Sequence, residues 1–161
     1  MANEYSASAI FAKIEEFLPD SGIKNFSKDE EKLNFRFTVN GDDFPMDFVL
    51  RVLPESRLIS VLSFLPFDFN QDKIVDAALA VTAINDSILN GCFCLDMSDG
   101  TTYFNVYNSF IGTEITAELL RYLIGISVNT VDEYNDRLLA LHKSIISIDD
   151  FLTWINKKNS D

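Results

Sequence analysis

Two cysteines, Cys92 and Cys94, stand one residue apart in the segment NGCFCLDMSDG and are the residues best suited to chemistry. A Cys-x-Cys pair can ligate zinc or a cluster, but such sites need about four Cys or His ligands. The chain contains 2 Cys and 1 His, so we expect no metal and no cofactor. Residues two apart on a strand point the same way but lie too far apart for an unstrained disulfide. We therefore interpret the pair as strand residues of a β-hairpin that turns at Asp99-Gly100.

His142 lies beside an apolar helical stripe and could act as the base for a cysteine nucleophile. Nothing in the sequence places its imidazole near either thiol, and a lone helical histidine there is more often a packed or surface residue. The chain also has no Walker loop, no GxGxxG after a strand, no GxSxG and no HExxH. The sequence thus predicts no catalytic residue and no enzyme. A cysteine-dependent enzyme would need Cys92 or Cys94 close to His142.

Asp68, Asn70 and Asp72 have the spacing of the first three ligands of a calcium-binding loop. Where that loop requires glycine the chain has Lys73, and where it requires glutamate the chain has Leu79. A helix capped by Asn70, with acidic residues in its first turn, explains the same residues through the helix dipole. We therefore predict the start of a helix in this segment and no metal site.

Asn85 falls on the apolar stripe of that helix. A buried amide without partners would cost about 1 to 3 kcal/mol, so its side chain should be hydrogen-bonded. Two alternatives remain: a bond to the backbone of a neighbouring loop or strand, or a polar contact with a ligand.

Composition narrows the possible partners. The 161 residues are 47% hydrophobic and carry a net charge of −12, with 25 acidic against 13 basic side chains. Such a surface repels phosphate backbones and anionic lipid, so we expect no nucleic acid and no membrane partner, while basic proteins are favoured. No basic segment precedes an apolar one at the amino terminus, and the longest nearly apolar stretch, 58–67, is about half of the ~20 residues that a membrane span needs. We expect a cytoplasmic protein with reduced thiols.

Hydrophobic periodicity predicts the elements that position these residues. Helical spacing begins near Ser6 and resumes at 71–89 and from Thr116, where Gly125 and the following SVNT could kink or divide the helix. Alternation predicts strands at 33–39, 46–53, 58–65, 92–97 and 102–107. Ser147 and Asp150 resemble a capping box that starts a last helix. The prediction is a single α+β domain over 1–161, in the order α-βββ-α-ββ-α with a five-stranded antiparallel sheet, a core of about 5–142 and an added helix at 147–158.

The second and third predicted strands are apolar on both faces. An antiparallel sheet usually presents one polar face to water, so both faces of these strands need cover. The helices can cover one face, while the other requires a second subunit, the C-terminal helix or a partner segment. The predicted partner-binding residues are Val49, Leu53, Ile59, Val61 and Leu65.

The segment INDSILNGCFCLDMSDGTTYFNV, with Asn85, Gly91, Phe93, Asp96 and Gly100 at these spacings, resembles the centre of YbjN-type domains. Those domains are similar to type III secretion chaperones of the Tir-chaperone class, and the likeness covers roughly residues 5 to 142. This chain departs from the pattern of such domains at Phe104 and Asn105, where they often carry an arginine. The resemblance implies a twisted antiparallel sheet with helices, often a homodimer, that holds or scaffolds a protein client.

The two approaches lead to one functional expectation. We expect a non-enzymatic, chaperone- or scaffold-like protein-binding module that forms a homodimer and holds a client, with apolar patches as interaction sites. The alternative is a regulatory domain that senses a small molecule, which would require a closed apolar pocket with a few convergent polar groups.

Overall fold

A computed structural model describes residues 6–160 and shows an α+β fold built on a six-stranded antiparallel sheet. The helices are α1 (Ala7–Asp20), α2 (Ile74–Asn85), α3 (Ala117–His142) and α4 (Ile148–Lys158), and a 3-10 turn over Gln71–Lys73 leads into α2. The strands are β1 (Phe26–Asp29), β2 (Asn34–Asn40), β3 (Pro45–Leu53), β4 (Leu58–Phe64), β5 (Cys92–Leu95) and β6 (Thr102–Ser109). They lie in the order β1-β2-β3-β4-β6-β5.

The predicted count of five strands is wrong, because the charged segment after α1 contains β1. This strand pairs with β2, with Phe26 opposite Phe37 and Lys28 opposite Phe35. Asp29 then accepts the backbone N–H groups of the turn that leads to β2. A four-residue edge strand with exposed polar residues at its centre shows too little alternation to be detected by pattern.

One face of the sheet is covered by α1 and α3. We name as the helix-covered face the strand residues that point toward these helices, which are Phe35, Phe37, Met46, Phe48, Leu50, Val52, Ile59, Val61, Ser63, Phe93, Phe104 and Val106. The ring of Phe11 on α1 stacks on Phe35 with centroids 4.4 Å apart. Tyr134 on α3 meets Phe93 edge to face at 6.0 Å. This layer is the main hydrophobic core.

The helix α3 runs without a break from Ala117 to His142, so Gly125 and the following SVNT do not divide it. Thr116 caps it by accepting the N–H of Leu119 at 3.1 Å. Buried residues recur along its length from Leu120 to Leu141, so packing against the sheet holds the whole helix together. No helix within residues 6–160 combines the length and hydrophobicity that crossing a bilayer requires.

The last helix, α4, begins with the predicted capping box: Ser147 accepts the N–H of Asp150, whose carboxylate accepts the N–H of Ser147. Phe151 and Ile155 are fully buried against the rest of the chain. The indole of Trp154 lies edge to face with Tyr134 of α3, at 6.2 Å. Thus α4 packs on the helical layer rather than on the uncovered side of the sheet.

The cysteine segment forms the predicted hairpin strand, with Cys92 opposite Asn105 and Cys94 opposite Tyr103 of β6. In the loop that joins the strands only Gly100 has a positive φ, of 83°, so Asp99-Gly100 is not a two-residue turn with both residues left-handed. A Cβ on Gly100 would collide with the backbone of Phe69, whose N–H bonds to the carbonyl of Gly100 at 3.0 Å. This contact fastens the segment after β4 to the hairpin.

Candidate functional site

Within residues 6–160, the second face of the sheet carries no helix. We name as the open face the strand residues that point away from α1 and α3: Asn34, Arg36, Thr38, Asp47, Val49, Arg51, Leu53, Leu58, Ser60, Leu62, Phe64, Cys92, Cys94, Tyr103, Asn105 and Tyr107. Pairing places these residues in rows across the strands. An apolar strip of Val49, Leu53, Leu58, Leu62 and Phe64 runs along β3 and β4.

The structure divides the predicted partner-binding set between the two faces. Val49 and Leu53 lie on the open face. Ile59 and Val61 are fully buried on the helix-covered face, and Leu65, just beyond β4, is 6% exposed in the same core. The expectation that all five form one surface is therefore wrong.

The error comes from the register of one hairpin. The turn at 54–57 places Leu53 opposite Leu58 and Val49 opposite Leu62, whereas the prediction grouped Val49 with Ile59 and Val61. A shift of one residue moves every side chain of a strand to the other face. Leu58, Leu62 and Phe64 were therefore not predicted for this face, although pairing the strand ends on either side of the turn would have identified them.

The apolar strip is only partly accessible. Val49 is 8% exposed and Leu62 is 6% exposed, whereas Leu53, Leu58 and Phe64 are half-buried. Tyr107, on the neighbouring strand β6, is 46% exposed. The open face is thus less apolar than we predicted from the two strands that are apolar on both faces. Polar residues form much of its surface.

A hydrogen-bonded chain of side chains crosses the open face from β3 to β6. Arg51 donates to the hydroxyl of Ser60 at 3.3 Å, and that hydroxyl donates to the amide oxygen of Asn105 at 3.1 Å. The amide nitrogen of Asn105 donates to the phenol oxygen of Tyr107 at 2.7 Å. Polar groups that are hydrogen-bonded to one another can be buried without a large penalty, so this network is suited to lie beneath a bound partner.

Two cavities lie on this side of the sheet. One of about 450 Å³ is lined by Lys32, Asn34, Arg36, Val49, Arg51, Leu53, Leu62 and Phe64. A second of about 950 Å³ shares Arg36, Val49 and Phe64 with it and continues past Asp47 to β1. Together they form a groove across β1 to β4. Its cationic residues contrast with the net charge of −12 of the chain.

Cys92 and Cys94 lie on the open face with their sulfurs 3.8 Å apart. Burial disfavours the thiolate and, with the neighbouring Cys92, raises the pKa of Cys94 to about 11. His142 ends α3, where its ring packs against Phe67 and Phe69 at 5.2 Å and 5.7 Å. Within residues 6–160 the structure does not pair the imidazole with either thiol.

The calcium-like segment leads into the 3-10 turn before α2. The side chain of Asn70 makes no capping bond. The backbone carbonyl of Asn70 accepts the N–H of Lys73 at 2.8 Å. The predicted side-chain cap is therefore wrong, and the α-helix begins at Ile74, after the 3-10 turn, rather than at Gln71. In the described part of the chain, no three Asp, Glu, His or Cys side chains are grouped so that they could hold a metal ion.

Asn85 bonds twice to the backbone of the edge strand β5. Its amide nitrogen donates to the carbonyl of Phe93 at 2.9 Å, and its amide oxygen accepts the N–H of Phe93 at 2.8 Å. These are the two bonds that a further strand would make with Phe93. The amide therefore covers a sheet edge, which is the first of the two alternatives that the sequence left open.

A family model agrees with the predicted resemblance. The model named YbjN, described as "Putative bacterial sensory transduction regulator", matches residues 11–140. No curated protein matches the sequence.

Solved structures share the architecture. A YbjN described as "a putative transcription regulator from E. coli" is similar with a TM-score of 0.60 and 16% identity, over 79% of this chain and 92% of that one. The ExsC–ExsE complex contains a chain similar with a TM-score of 0.54 and 13% identity, over 82% and 95% respectively. The Yersinia pestis type III secretion chaperone SycH, solved with a fragment of YscM2, gives 0.49 and 13%, over 85% and 98%. At these identities, the first two likenesses confirm the α+β fold and nothing finer.

Proposed function

The chain belongs to the YbjN family, and on that premise we propose that it is a non-enzymatic protein-binding module. Its open face would hold an extended segment of a partner protein, as a chaperone or scaffold does. The residues of this binding face are Val49 and Leu53 from the predicted set, joined by Leu58, Leu62, Phe64 and Tyr107.

One observation carries this proposal: α1 and α3 cover one face of the sheet and α4 packs on that helical layer, so no helix of the described chain covers the apolar strip of the other face. Protein interfaces combine apolar contacts with direct hydrogen bonds, and the open face offers both kinds of group. The fold also supports protein binding, because a chain that shares it was solved in a complex of two proteins, ExsC and ExsE.

A small-molecule sensor is the second candidate. Its support is the description of the family as a sensory transduction regulator and a cavity whose volume, about 950 Å³, is within the range of ligand sites. A small ligand, however, is best held in a cleft that encloses most of its surface, whereas this cavity extends along a sheet face. A rise in melting temperature with a metabolite, but with no protein partner, would favour the sensor.

We further propose that the protein is a cytoplasmic homodimer. The outward side of α2 supports a second copy, because Val75 and Leu79 lie one turn apart and are 66% and 47% exposed. A helix that is apolar on its outer side as well as its inner side usually packs against something on both. The binding face and this dimer surface belong to different elements.

The binding face can be tested with two tyrosines of nearly equal exposure. Tyr107 is 46% exposed on the open face, and Tyr122 is 49% exposed on α3. Each is replaced in turn by a photo-crosslinking phenylalanine derivative, and the protein is irradiated in the cells that encode it. We expect a covalent adduct with one defined protein at position 107 and none at position 122.

Mass spectrometry identifies the adduct and separates a partner from a second copy of the chain. Adducts of equal yield at the two positions, or none at position 107, would contradict the proposed binding face. An adduct at 107 only with the chain itself would show a face between copies rather than a client site.

A further inference from the structure

One part of the groove on the open face, the cavity of about 450 Å³, carries charge opposite to that of the molecule, whereas the adjoining cavity of about 950 Å³ also contains Asp47. Among residues 6–160, the cavity of about 450 Å³ is lined by three cationic residues, Lys32, Arg36 and Arg51, and by no Asp or Glu. The whole chain has 25 acidic and only 13 basic side chains, so a cavity whose charged residues are all cationic is not what the composition favours. This groove is where the protein attracts negative charge.

The two arginines are neighbours on the sheet. Arg36 on β2 lies opposite Val49 of β3, two residues before Arg51 on the same face. Diagonal neighbours of this kind are about 7 Å apart, so the two positive charges repel each other unless an anion lies between them. Among residues 6–160, neither guanidinium has a carboxylate within ion-pair distance.

Much of the hydrogen-bonding capacity of these arginines is unused. A guanidinium has about five N–H donors, and Arg51 uses one nitrogen to bond Ser60 at 3.3 Å while its Nε is buried without a partner in the described chain. Lys32 is 76% exposed and approaches Asp29 only at 3.8 Å. Planar guanidinium groups bind carboxylates through paired hydrogen bonds, so free donors here favour a carboxylate ligand.

Apolar residues flank the arginines and limit the kind of anion. Val49 and Leu53 lie on either side of Arg51 along β3, and Leu62 and Phe64 line the same cavity. A free inorganic anion would not use these side chains. An extended peptide would, because its alternate residues point to the same side and its residues two apart are separated by about 7 Å, close to the spacing of the two arginines.

We propose that the open face recognises an acidic, apolar segment of a partner protein, with carboxylates on Arg36 and Arg51 and apolar side chains against Val49, Leu53 and Phe64. This inference rests on the proposed function and names the partner chemistry of the same face. It reverses, for this face, the basic partner that the net charge favours. The acidic remainder of the surface repels the segment everywhere else and so directs it to the groove.

The test uses three short synthetic peptides of the form Val-Ser-X-Ser-X-Ser-Val, in which X is glutamate, glutamine or lysine. In an extended chain the valine and X side chains then point to the same side, with the two X residues about 7 Å apart. Binding is measured by fluorescence anisotropy at low and at high salt, and the bound site by amide NMR shifts. We expect the glutamate peptide to bind about tenfold more tightly than the glutamine peptide, the lysine peptide to bind least, and salt to remove most of the difference. Shifts should centre on Val49, Arg51 and Leu53.

The variant Arg36→Gln/Arg51→Gln should reduce affinity for the glutamate peptide about tenfold and leave the glutamine peptide unaffected. The matched control, Lys143→Gln/Lys157→Gln, changes net charge equally but replaces exposed residues at the end of α3 and on α4. It should bind like the wild type. Far-ultraviolet circular dichroism of both variants checks that they are folded.

Three outcomes would overturn the inference: a glutamine or lysine peptide that binds as tightly as the glutamate peptide, an unchanged affinity in the arginine variant, or no binding by any peptide. If the glutamine peptide shifts open-face amides while glutamate gives no advantage, the acidic preference fails but the proposed function survives. Polyphosphate is the remaining arm. If it binds through the two arginines while the glutamate peptide does not, the groove is a polyanion site and the peptide assignment is wrong.

Discussion

At the residue scale, the structure is clearest about Asn85, a candidate ligand contact whose side chain is bonded to the backbone instead. Both halves of its amide are used by the backbone of Phe93. The sequence was sufficient to predict that this amide needs partners, because it lies on an apolar stripe. The identity of the partner depends on where β5 packs against α2. No sequence pattern predicts that packing.

Replacing Asn85 with alanine should destabilise the fold by about 2 kcal/mol, because two hydrogen bonds are lost and the N–H and carbonyl of Phe93 are left unpaired. Urea unfolding followed by circular dichroism measures the change. Asn129→Ala, at an exposed position of α3, is the control and should leave the midpoint nearly unchanged. Equal midpoints for the two variants would show that the bonds to Phe93 are not needed.

The cysteines give a second prediction at this scale. Because burial raises the pKa of Cys94 from its ordinary value near 9.0 to about 11, its thiolate fraction at pH 7 is about one in ten thousand. Alkylation by iodoacetamide, followed by mass spectrometry, should therefore be slow at pH 7 and accelerate as the pH rises toward 11. In concentrated urea the same thiol should react faster at pH 8. A fast reaction of Cys94 in the folded protein at pH 7 would reopen the case for cysteine chemistry.

At the element scale, α4 is the element whose role the sequence left most open. Its start was predictable from Ser147 and Asp150, but where it packs was not, since an amphipathic helix shows only that one side is covered. Trp154 is the single tryptophan of the chain and lies between Arg137 and Tyr134. Its fluorescence therefore reports on the docking of α4 alone.

We predict that fluorescence of Trp154 and circular dichroism follow one urea transition, because Phe151 and Ile155 are fully buried in the common core. This would support the single-domain expectation, and an earlier fluorescence transition would show that α4 separates first.

Ser147→Ala should lower the stability of α4 by about 1 kcal/mol, with Asn156→Ala as the exposed control. The bonds from Ser147, its side chain first and its backbone second, lower the pKa of Asp150. The stabilisation by the cap is therefore fully present above the ordinary pKa of an aspartate and is lost as the pH falls through the lower pKa of Asp150 in the folded protein.

The strands show the same division between what a pattern can and cannot predict. Alternation in β2 identified its buried phenylalanines, and the two-sided apolar character of β3 and β4 was also visible. The assignment of residues to faces failed at a single hairpin, because alternation within each strand does not state which residue lies opposite which. The position of the turn at 54–57 contains that information.

At the scale of the whole molecule, net charge and local charge lead to different partners. Composition alone favours a basic partner for a chain of net −12. Lys32 and Arg36 precede Arg51 by many residues, and only strand pairing brings the three to one groove. A sum over the sequence cannot show this convergence, which is why the groove was not predicted.

The homodimer is a prediction at the same scale. Light scattering at micromolar concentration should give twice the chain mass, since apolar residues on the outer side of α2 need cover. Val75→Asp/Leu79→Asp should give a monomer, because each charge would be buried without a partner. Asn129→Asp/Thr153→Asp changes net charge equally at exposed positions and should leave the dimer intact. A monomer mass for the wild type would remove the second subunit from the proposal.

The bonds between Asn85 and Phe93 also make the two borders of the sheet unequal. A strand from another molecule that extended the sheet beyond β5 would first have to displace this amide, whereas within residues 6–160 no side-chain amide is bonded to the backbone of β1 at the opposite border. Fibril growth by lateral stacking, should heat or acid start it, would therefore have a direction, with β1 as the growing end. A single asparagine would then protect one of the two edges of the sheet from the addition of further strands.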